Sequence, residues 1–347
     1  MKVGVLELCC PSCRGDLREG NNELTCAKCT HSFPVILGIP DLRVFSDPYI
    51  DMEADRAKAR ALAERFGDLD FKGLIEYYYH STSVVTRAQA DSFIRGLMGA
   101  VPRAESALEQ WEGAAPSKPA ANRLLEIGCG TAPLLIAASH RHEELVGIDI
   151  ALRWLMVGKK RLMDAGLDVP LVCACAEALP FPAHSFDRLM ADSVIENVRD
   201  QSRTLSEAHR VLRPGGHLYI TTANRFSVGP DPQIGMWATG FLPNSWVEAS
   251  VRRQGAIPPK RKLLSAWGVS KLLSRSGFIR TRMSLPVFPP GQRAQLPAYI
   301  NALVGAYHAA SRLPVTRHML WLLGPKFSAA SEKGWPEKAE RIGGTTR

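Results

Sequence analysis

The sequence lacks any uncharged apolar run of about 18 residues, the length at which a helix begins to span a bilayer. Its first eight residues include a lysine and a glutamate, and they lack the apolar core and cleavage site of a secretory signal. We therefore expect a cytoplasmic protein, either free or bound at the inner face of the membrane.

Acidic residues are missing from one long segment. Residues 249–331 contain no aspartate or glutamate but 13 lysines and arginines. Subtracting this +13 from the overall net charge of +9 leaves −4 for the rest of the chain. The basic 249–331 segment predicts an anionic partner, namely a membrane surface, RNA or an anionic substrate. The alternative is a basic face that contacts only solvent.

Cysteine is scarce outside the first 29 residues, which hold five of the eight, so a disulfide framework is not expected. Four of the five form two Cys-x-x-Cys pairs, Cys10 with Cys13 and Cys26 with Cys29. This spacing directs four thiolates at one ion and predicts a structural zinc site, with an iron–sulfur cluster as the alternative. Four thiolates leave no coordination position for a catalytic water.

A third glycine is missing from the turn after the apolar strand predicted at 124–126. A dinucleotide site needs Gly-x-Gly-x-x-Gly, and only Gly128 and Gly130 are present. Glu126 lies two residues before Gly128, where it would repel a pyrophosphate and attract an ammonium group. Glycines at a strand-to-helix turn let the backbone approach a ligand closely, so a cofactor site is expected here.

This turn resembles the glycine-rich first motif, Glu-x-Gly-x-Gly-x-Gly, of class I S-adenosylmethionine-dependent methyltransferases, with Ala132 at the last glycine. Asp149 ends the next predicted strand, where a carboxylate accepts hydrogen bonds from both ribose hydroxyls. The stretches 176–187 and 213–216 resemble later family motifs in the same order. The expected cofactor is therefore S-adenosyl-L-methionine, and its predicted contacts are Glu126, Gly128, Cys129, Gly130, Asp149, Ile150, Cys175, Ala176 and Asp192.

One of these positions departs from the family. Cys175 stands where the family has an aspartate that meets the adenine amino group, and a thiol is a poor acceptor. The backbone of Ala176 remains available to the adenine ring.

The resemblance implies an α/β fold, a Rossmann-like seven-stranded methyltransferase sheet with an N-terminal zinc ribbon and a helical cap and insertion. Residues 1–45 resemble the zinc ribbon related to the methyltransferase activator Trm112. Residues 46–122 form the predicted helical cap and linker, 123–335 the methyltransferase domain, and 336–347 a disordered tail. The apolar insertion at 290–323 is predicted to be a lid, a homodimer face or a membrane-surface segment.

The predicted catalytic residues are less defined. An oxygen acceptor needs a base near its proton, and His80 is the first candidate and Glu196 the second. Tyr79 is predicted to contact substrate through the helical cap, or else to pack in a helical core. Asn224 and Arg225 lie at the carboxyl edge of the sheet, where open α/β sheets bind ligands.

The resulting hypothesis is methyl transfer to oxygen of a small-molecule, sugar or lipid-linked intermediate. The first alternative is methylation of ribosomal or transfer RNA, since a zinc ribbon with a basic block suits backbone binding. The second is a non-catalytic S-adenosylmethionine-binding protein, favoured by Cys175 and by Asn197, which replaces a histidine found in many relatives.

Overall fold

The N-terminal part of the protein is a small antiparallel sheet. The computed structural model describes residues 2–3, 6–82, 87–114, 123–229, 231, 234, 236–254, 257–288, 293 and 298–335. A short pair, β1 (Lys2–Val3) and β2 (Leu6–Glu7), precedes four strands that pair in chain order. They are β3 (Leu17–Glu19), β4 (Glu23–Cys26), β5 (Ser32–Ile36) and β6 (Ile39–Pro40).

Four helices follow this sheet: α1 (Met52–Glu64), α2 (Phe71–His80), α3 (Arg87–Met98) and α4 (Ala100–Ala114). Asp51 and Asp70 begin α1 and α2, because their carboxylates accept the N–H groups of Ala54 and Gly73 at 2.9 and 2.7 Å. The structure thus places helices where the cap is predicted. The remaining predicted linker, residues 115–122, lies outside the described residues.

A seven-stranded mixed sheet forms the centre of the molecule, in the order β12-β13-β11-β10-β7-β8-β9. The strands are β7 (Arg123–Ile127), β8 (Glu144–Asp149), β9 (Leu171–Cys173), β10 (Phe186–Asp192), β11 (Leu212–Ala223), β12 (Phe278–Ser284) and β13 (Lys326–Lys333). β13 runs antiparallel to both of its neighbours, β11 and β12, and the other described strand pairs of this sheet are parallel. The predicted α/β fold with a seven-stranded sheet is confirmed.

Seven further helices follow: α5 (Pro133–Ala138), α6 (Leu152–Asp164), α7 (Gln201–Val211), α8 (Asn244–Arg253), α9 (Ala266–Arg275), α10 (Ala298–Arg312) and α11 (Pro314–Leu323). Of these, α5 and α6 pack on one face of the sheet, and α7 and α9 pack on the other. A single 3₁₀ turn, Thr239–Phe241, precedes α8. No helix among the described residues is long and apolar enough to cross a membrane. The two helices α10 and α11 lie within the predicted insertion 290–323, and the predicted tail 336–347 lies outside the described residues.

Two strand ends of the large sheet have identifiable reasons. β9 ends at Cys173, and the chain then turns, with Ala178 N donating to the Cys175 carbonyl at 3.0 Å. β11 begins at Leu212. The Pro-Gly-Gly sequence at 214–216 lies within β11, as an irregularity in the pairing with β10.

The N-terminal sheet packs on the edge of the large sheet beside β9. Leu42 N donates to the Cys173 carbonyl at 2.7 Å, and Cys9 N donates to the Pro180 carbonyl at 2.9 Å. Leu24 and Phe33 of the small sheet belong to the same buried cluster as the core of the large one. The edge strand is therefore covered, and the chain leaving the small sheet passes directly over the carboxyl ends of β8 and β9.

Candidate active site

The glycine turn joins β7 to α5. Gly128 has a φ of +75°, and its N–H donates to the Ile148 carbonyl at 2.7 Å. A Cβ at Gly128 would lie 2.3 Å from Cγ2 of Val194, so only glycine fits. Gly130 N donates to Oδ2 of Asp149 at 2.9 Å, which fixes the turn against the end of β8.

A cavity of about 540 Å³ opens at this turn, within the range of ligand pockets. Five of the predicted cofactor contacts line it: Gly128, Asp149, Ile150, Ala176 and Asp192. The Asp149 carboxylate is held in place because its Oδ1 accepts Ala151 N at 2.8 Å. This space, called the first cavity below, lies where the carboxyl ends of the parallel strands meet.

The side chains of two predicted cofactor contacts, Cys129 and Cys175, point away from the first cavity. Sγ of Cys129 would lie 2.8 Å from a Cβ built on Gly147, so this thiol packs over β8 in the core. Sγ of Cys175 donates to the Phe45 carbonyl at 3.5 Å, and neither cysteine lines the first cavity. Burial raises the pKa of the Cys175 thiol to about 11. The residue at the expected aspartate position therefore makes a hydrogen bond to the segment that follows the N-terminal sheet.

Glu126 occupies a second cavity of about 440 Å³, which meets the first at Asp192. The side chain is buried, and its Oε2 has no hydrogen-bond partner among the described residues. Burial raises the pKa of Glu126 well above its ordinary value, and the charges of Asp192 and Asp149 raise it further. Three carboxyl groups near one another with an unpartnered oxygen favour a cationic ligand over an anionic one.

The segment after the N-terminal sheet forms a wall of the first cavity, which sequence reasoning missed. Phe45, Asp47, Pro48 and Tyr49 all line it. The guanidinium of Arg199 lies 4.0 Å from the centre of the Phe45 ring, within cation–π range. No spacing rule in the sequence indicates that this segment returns to the sheet.

A buried ionic network holds that segment in place. The fully buried guanidinium of Arg43 donates to Asp41 at 2.6 Å, to Asp55 at 2.7 Å and to the Ile150 carbonyl at 3.0 Å. Arg153, a cavity residue, donates to the same Asp55 at 2.6 Å and to Asp47 at 3.0 Å. The network thereby joins the N-terminal sheet, α1 and the start of α6, and it contacts the backbone of Ile150, the residue after Asp149.

The two predicted bases do not line either cavity. His80 is exposed at the end of α2. Glu196 is buried, but its Oε2 accepts Thr222 Oγ1 at 2.9 Å and its Oε1 accepts Ala223 N at 3.5 Å. Its carboxylate therefore ties the end of β11 to the loop after β10. Neither placement fits the predicted role of general base.

The predicted substrate contacts also lie outside both cavities. Tyr79 packs among aromatic rings, with ring centres 5.6 Å from Phe93 and 5.9 Å from Trp154, as its alternative interpretation expects. Nδ2 of Asn224 donates to the carbonyls of Trp321, Leu322 and Gly324 at 2.9 to 3.1 Å, so this amide fixes the end of α11. Arg225 is exposed beside Phe226. Of the three, only Tyr79 adjoins the first cavity, through Trp154.

The four predicted zinc ligands come together. Their sulfurs all lie within 4.8 Å of one another, with 3.6 Å between Cys10 and Cys29 and 3.4 Å between Cys13 and Cys26. Four sulfurs about 2.3 Å from a tetrahedral zinc would be about 3.8 Å apart. Backbone N–H groups of Cys29 and Lys28 donate to Cys26 Sγ and lower the pKa of this thiol to about 6. The donor set and spacing thus fit a metal ion.

Comparison with known proteins adds a family match. Residues 125–220 match the family described as a methyltransferase domain. The ubiquinone/menaquinone biosynthesis C-methyltransferase UbiE of Bordetella avium is 34% identical over 137 residues, 39% of this chain and 53% of the relative. UbiE of Coxiella burnetii is 34% identical over 113 residues, 31% of this chain and 45% of the relative. The chain spans about half the length of these curated relatives.

Solved structures with a similar fold include phosphoethanolamine N-methyltransferase 2 of Haemonchus contortus in complex with S-adenosyl-L-methionine. The TM-score is 0.44 at 18% identity, covering 65% of this chain and 52% of that one. Geranyl diphosphate C-methyltransferase from Streptomyces coelicolor gives a TM-score of 0.44 at 15% identity, covering 65% and 74%. The family match over residues 125–220 spans the chain from β7 to β11 and includes the glycine turn held by Asp149.

Proposed function

We propose that the protein is an S-adenosylmethionine-dependent methyltransferase that acts on a small-molecule or lipid-linked acceptor. The unpartnered, buried carboxylate oxygen of Glu126, close to Asp149 and Asp192, carries this proposal. A dinucleotide would bring the negative charge of its pyrophosphate to these acids. S-adenosylmethionine instead brings an ammonium and a sulfonium group, and both are cations.

Separate residues suit the separate parts of this cofactor. Glu126 suits its cationic end, and Asp149 suits the ribose hydroxyls. Ile150 and Ala176 offer apolar contacts for the adenine in the first cavity. When bound, the cofactor supplies a methyl group on positively charged sulfur, already activated for transfer.

The second cavity is the proposed acceptor site. It shares Asp192 with the first cavity, so an acceptor there would lie beside the cationic end of the cofactor. Met190, Leu134 and Phe288 make much of its wall apolar. Tyr219 adds a buried hydroxyl, and Lys326 adds a cation. These groups suit a largely apolar acceptor with one polar or anionic oxygen.

Asp192 takes over the role of base in this proposal. It borders both cavities, its side chain is 46% exposed, and Lys326 Nζ lies 3.8 Å away. The Thr221 hydroxyl also donates to it and orients the carboxylate. Asp192 is therefore placed to accept the proton of an acceptor hydroxyl while the charge of Lys326 stabilises the resulting oxygen anion.

Carbon is the second candidate for the acceptor atom. The curated relatives are C-methyltransferases by name, and a phenol or enol can react at oxygen or at the neighbouring carbon. If the transferred methyl group is isotopically labelled, fragmentation of the product in a mass spectrometer distinguishes a methyl ether from a methyl group on carbon.

Calorimetry tests the cofactor assignment. The wild type is expected to bind S-adenosylmethionine and S-adenosylhomocysteine but not NAD. Glu126→Gln and Asp149→Ala should each weaken binding at least about tenfold, since each removes a charged hydrogen-bonding group. His80→Ala, which changes a residue outside both cavities, serves as the control and should bind like the wild type. Binding of NAD, or unchanged affinity in both acid variants, would refute the assignment.

Zinc is the metal that we propose for the four cysteines, in a structural role. Its support is the all-thiolate donor set and the sulfur spacing. The small sheet has little core of its own, so the metal would stabilise its fold.

A further inference from the structure

Three exposed tryptophans lie close together in the sequence. Trp237, Trp246 and Trp267 are 67%, 68% and 73% exposed. Large aromatic side chains are mostly buried in soluble proteins, and a group of exposed ones usually marks an interaction site. Neither the fold nor the proposed methyl transfer requires these three side chains.

Backbone contacts bring the elements that carry these residues together. Arg225 N donates to the Leu264 carbonyl at 3.0 Å, just before α9, and Val228 N donates to the Leu323 carbonyl at 3.1 Å, at the end of α11. The Phe226 ring lies 5.6 Å from Phe241 in the 3₁₀ turn. These elements therefore meet past the carboxyl end of β11. We call the described residues 225–228, 237–254, 257–271 and 314–323 the outer face.

Helix α11 adds an aliphatic stripe to the outer face. Val315, Met319 and Leu322 are spaced by four and three residues, which places them along one side of the helix. All three are more than half exposed. Since no described residue covers this stripe, it presents aliphatic side chains to whatever the outer face contacts.

The charges of the outer face are almost all positive. Arg252, Arg253, Lys271 and Arg317 are exposed. Lys271 Nζ lies 4.8 Å from the ring centre of Trp267, and the Arg317 guanidinium lies 5.1 Å from that of Trp321. The one carboxylate among the described residues of this face is Glu248, which lies 3.7 Å from Arg252. Cations interleaved with aromatic and aliphatic side chains are typical of surfaces that bind at a lipid–water interface.

We propose that the outer face docks the protein on an anionic phospholipid membrane. The tryptophans and the α11 stripe would enter the headgroup region, while the arginines and lysines would pair with lipid phosphates. The aliphatic stripe favours lipid over RNA, because single-stranded RNA is held by base stacking and backbone charge and gives Val315 or Leu322 no partner.

The position of the outer face explains why docking would be useful. Ile257 belongs to this face and also lines the first cavity. A docked protein would therefore hold its cavities near the membrane surface, where a lipid-linked acceptor resides. This last step rests on the proposed function, whereas the docking itself does not.

Vesicle co-sedimentation of the full-length protein tests the proposal. Vesicles of phosphatidylglycerol with phosphatidylcholine should bind the wild type, and vesicles of phosphatidylcholine alone should bind it weakly. Combining Trp237→Ala, Trp246→Ala and Trp267→Ala should lower the bound fraction about tenfold or more. Combining Arg252→Glu with Arg253→Glu should remove the preference for the anionic lipid.

Trp335→Ala is the matched control. Trp335 is 71% exposed but lies against Gly215, near the opposite end of β11, and should bind vesicles like the wild type. Absence of wild-type binding to anionic vesicles would overturn the proposal. An equal loss of vesicle binding in the control and in the triple variant would also overturn it. So would a wild type that binds RNA but does not bind vesicles.

Calorimetry with S-adenosylhomocysteine on the same preparations separates this proposal from the proposed function. A triple variant that binds S-adenosylhomocysteine normally but fails to bind vesicles is folded, and its defect lies in docking. A wild type that binds vesicles but no S-adenosylhomocysteine would refute the cofactor assignment and leave the docking in place.

Discussion

Arg43 provides a sharp test of the link between the N-terminal sheet and the cofactor site. Its guanidinium donates to Asp41, Asp55 and the Ile150 carbonyl, and none of the side chain is exposed. Replacing Arg43 with methionine keeps most of the volume and removes the charge. Two buried carboxylates then lose a partner, and the carbonyl next to Asp149 loses its donor.

The expected magnitude follows from burial. Removing one partner of a buried ion pair costs about 3–5 kcal/mol, because the remaining charge stays buried. Arg56 still reaches Asp41 at 2.7 Å and Arg153 still reaches Asp55 at 2.6 Å, so we expect Arg43→Met to cost about 3 kcal/mol, near the lower end. The affinity for S-adenosylhomocysteine should also fall, since the segment holding Phe45 and Asp47 is a wall of the first cavity.

Urea unfolding, followed by fluorescence and circular dichroism together, measures the free energy of unfolding. The control is Lys72→Met, which breaks an exposed pair with Glu76 on α2 and should cost less than about 1 kcal/mol. If Arg43→Met costs no more than this control, the network does not stabilise the fold. If stability falls but cofactor affinity does not, the proposed link to the cofactor site is wrong.

The pH dependence gives an independent check on the same network. Burial alone would raise the pKa of Asp41, but hydrogen bonds from Arg43 and Arg56 lower it below its ordinary value of 3.8. A lowered pKa in the folded state means that Asp41 stabilises the protein above about pH 4 and that this stability is lost as pH falls below it. The loss between pH 5 and 3 should be smaller in Arg43→Met than in the wild type.

Further predictions concern the cofactor, the metal and the turn. Because burial raises the pKa of Glu126, a bound cation should release a proton from it, so affinity for S-adenosylmethionine should fall as the pH is lowered. Calorimetry in two buffers of different ionisation enthalpy measures this proton, which Glu126→Gln should abolish. Elemental analysis should find about one zinc per chain, and Cys13→Ser or a chelator should lower the melting temperature; a metal-free protein of equal stability would contradict this. Gly128→Ala should cost more than Gly166→Ala by about 1–3 kcal/mol, because both have positive φ but only Gly128 also faces Val194; equal costs would exclude the clash.

Local patterns were sufficient for the parts of the protein that are local in sequence. The Cys-x-x-Cys pairs predict a cluster because two short turns alone bring the sulfurs together. The end of strand β8 at Asp149 was predicted correctly, because an apolar run that stops at an acidic residue is typical of a buried parallel strand. The motifs after the glycine turn follow in the order found in class I methyltransferases, and that resemblance implies the seven-stranded sheet.

The structure places several predicted site residues outside the two cavities, and side-chain direction over long separations is the reason. Glu196 and Asn224 are residue types that suit a site, but each is directed by partners that the sequence does not reveal. Asn224 is held by carbonyls about 100 positions away at the end of α11, for example. Asp192, Tyr219 and Lys326 come from three strands, and their convergence depends on strand order and register.

The sequence by itself determined the cysteine cluster, because the cluster depends on four residues at fixed short spacing, and its resemblance to class I methyltransferases predicted the fold class and the cofactor class. Only the tertiary structure decided that the segment after the N-terminal sheet lines the first cavity, and that the elements carrying the exposed tryptophans meet past the end of β11. Both features depend on packing between segments far apart in the chain. Whether such distant residues are buried or in contact is decided only when the chain folds, and no local sequence pattern predicts it.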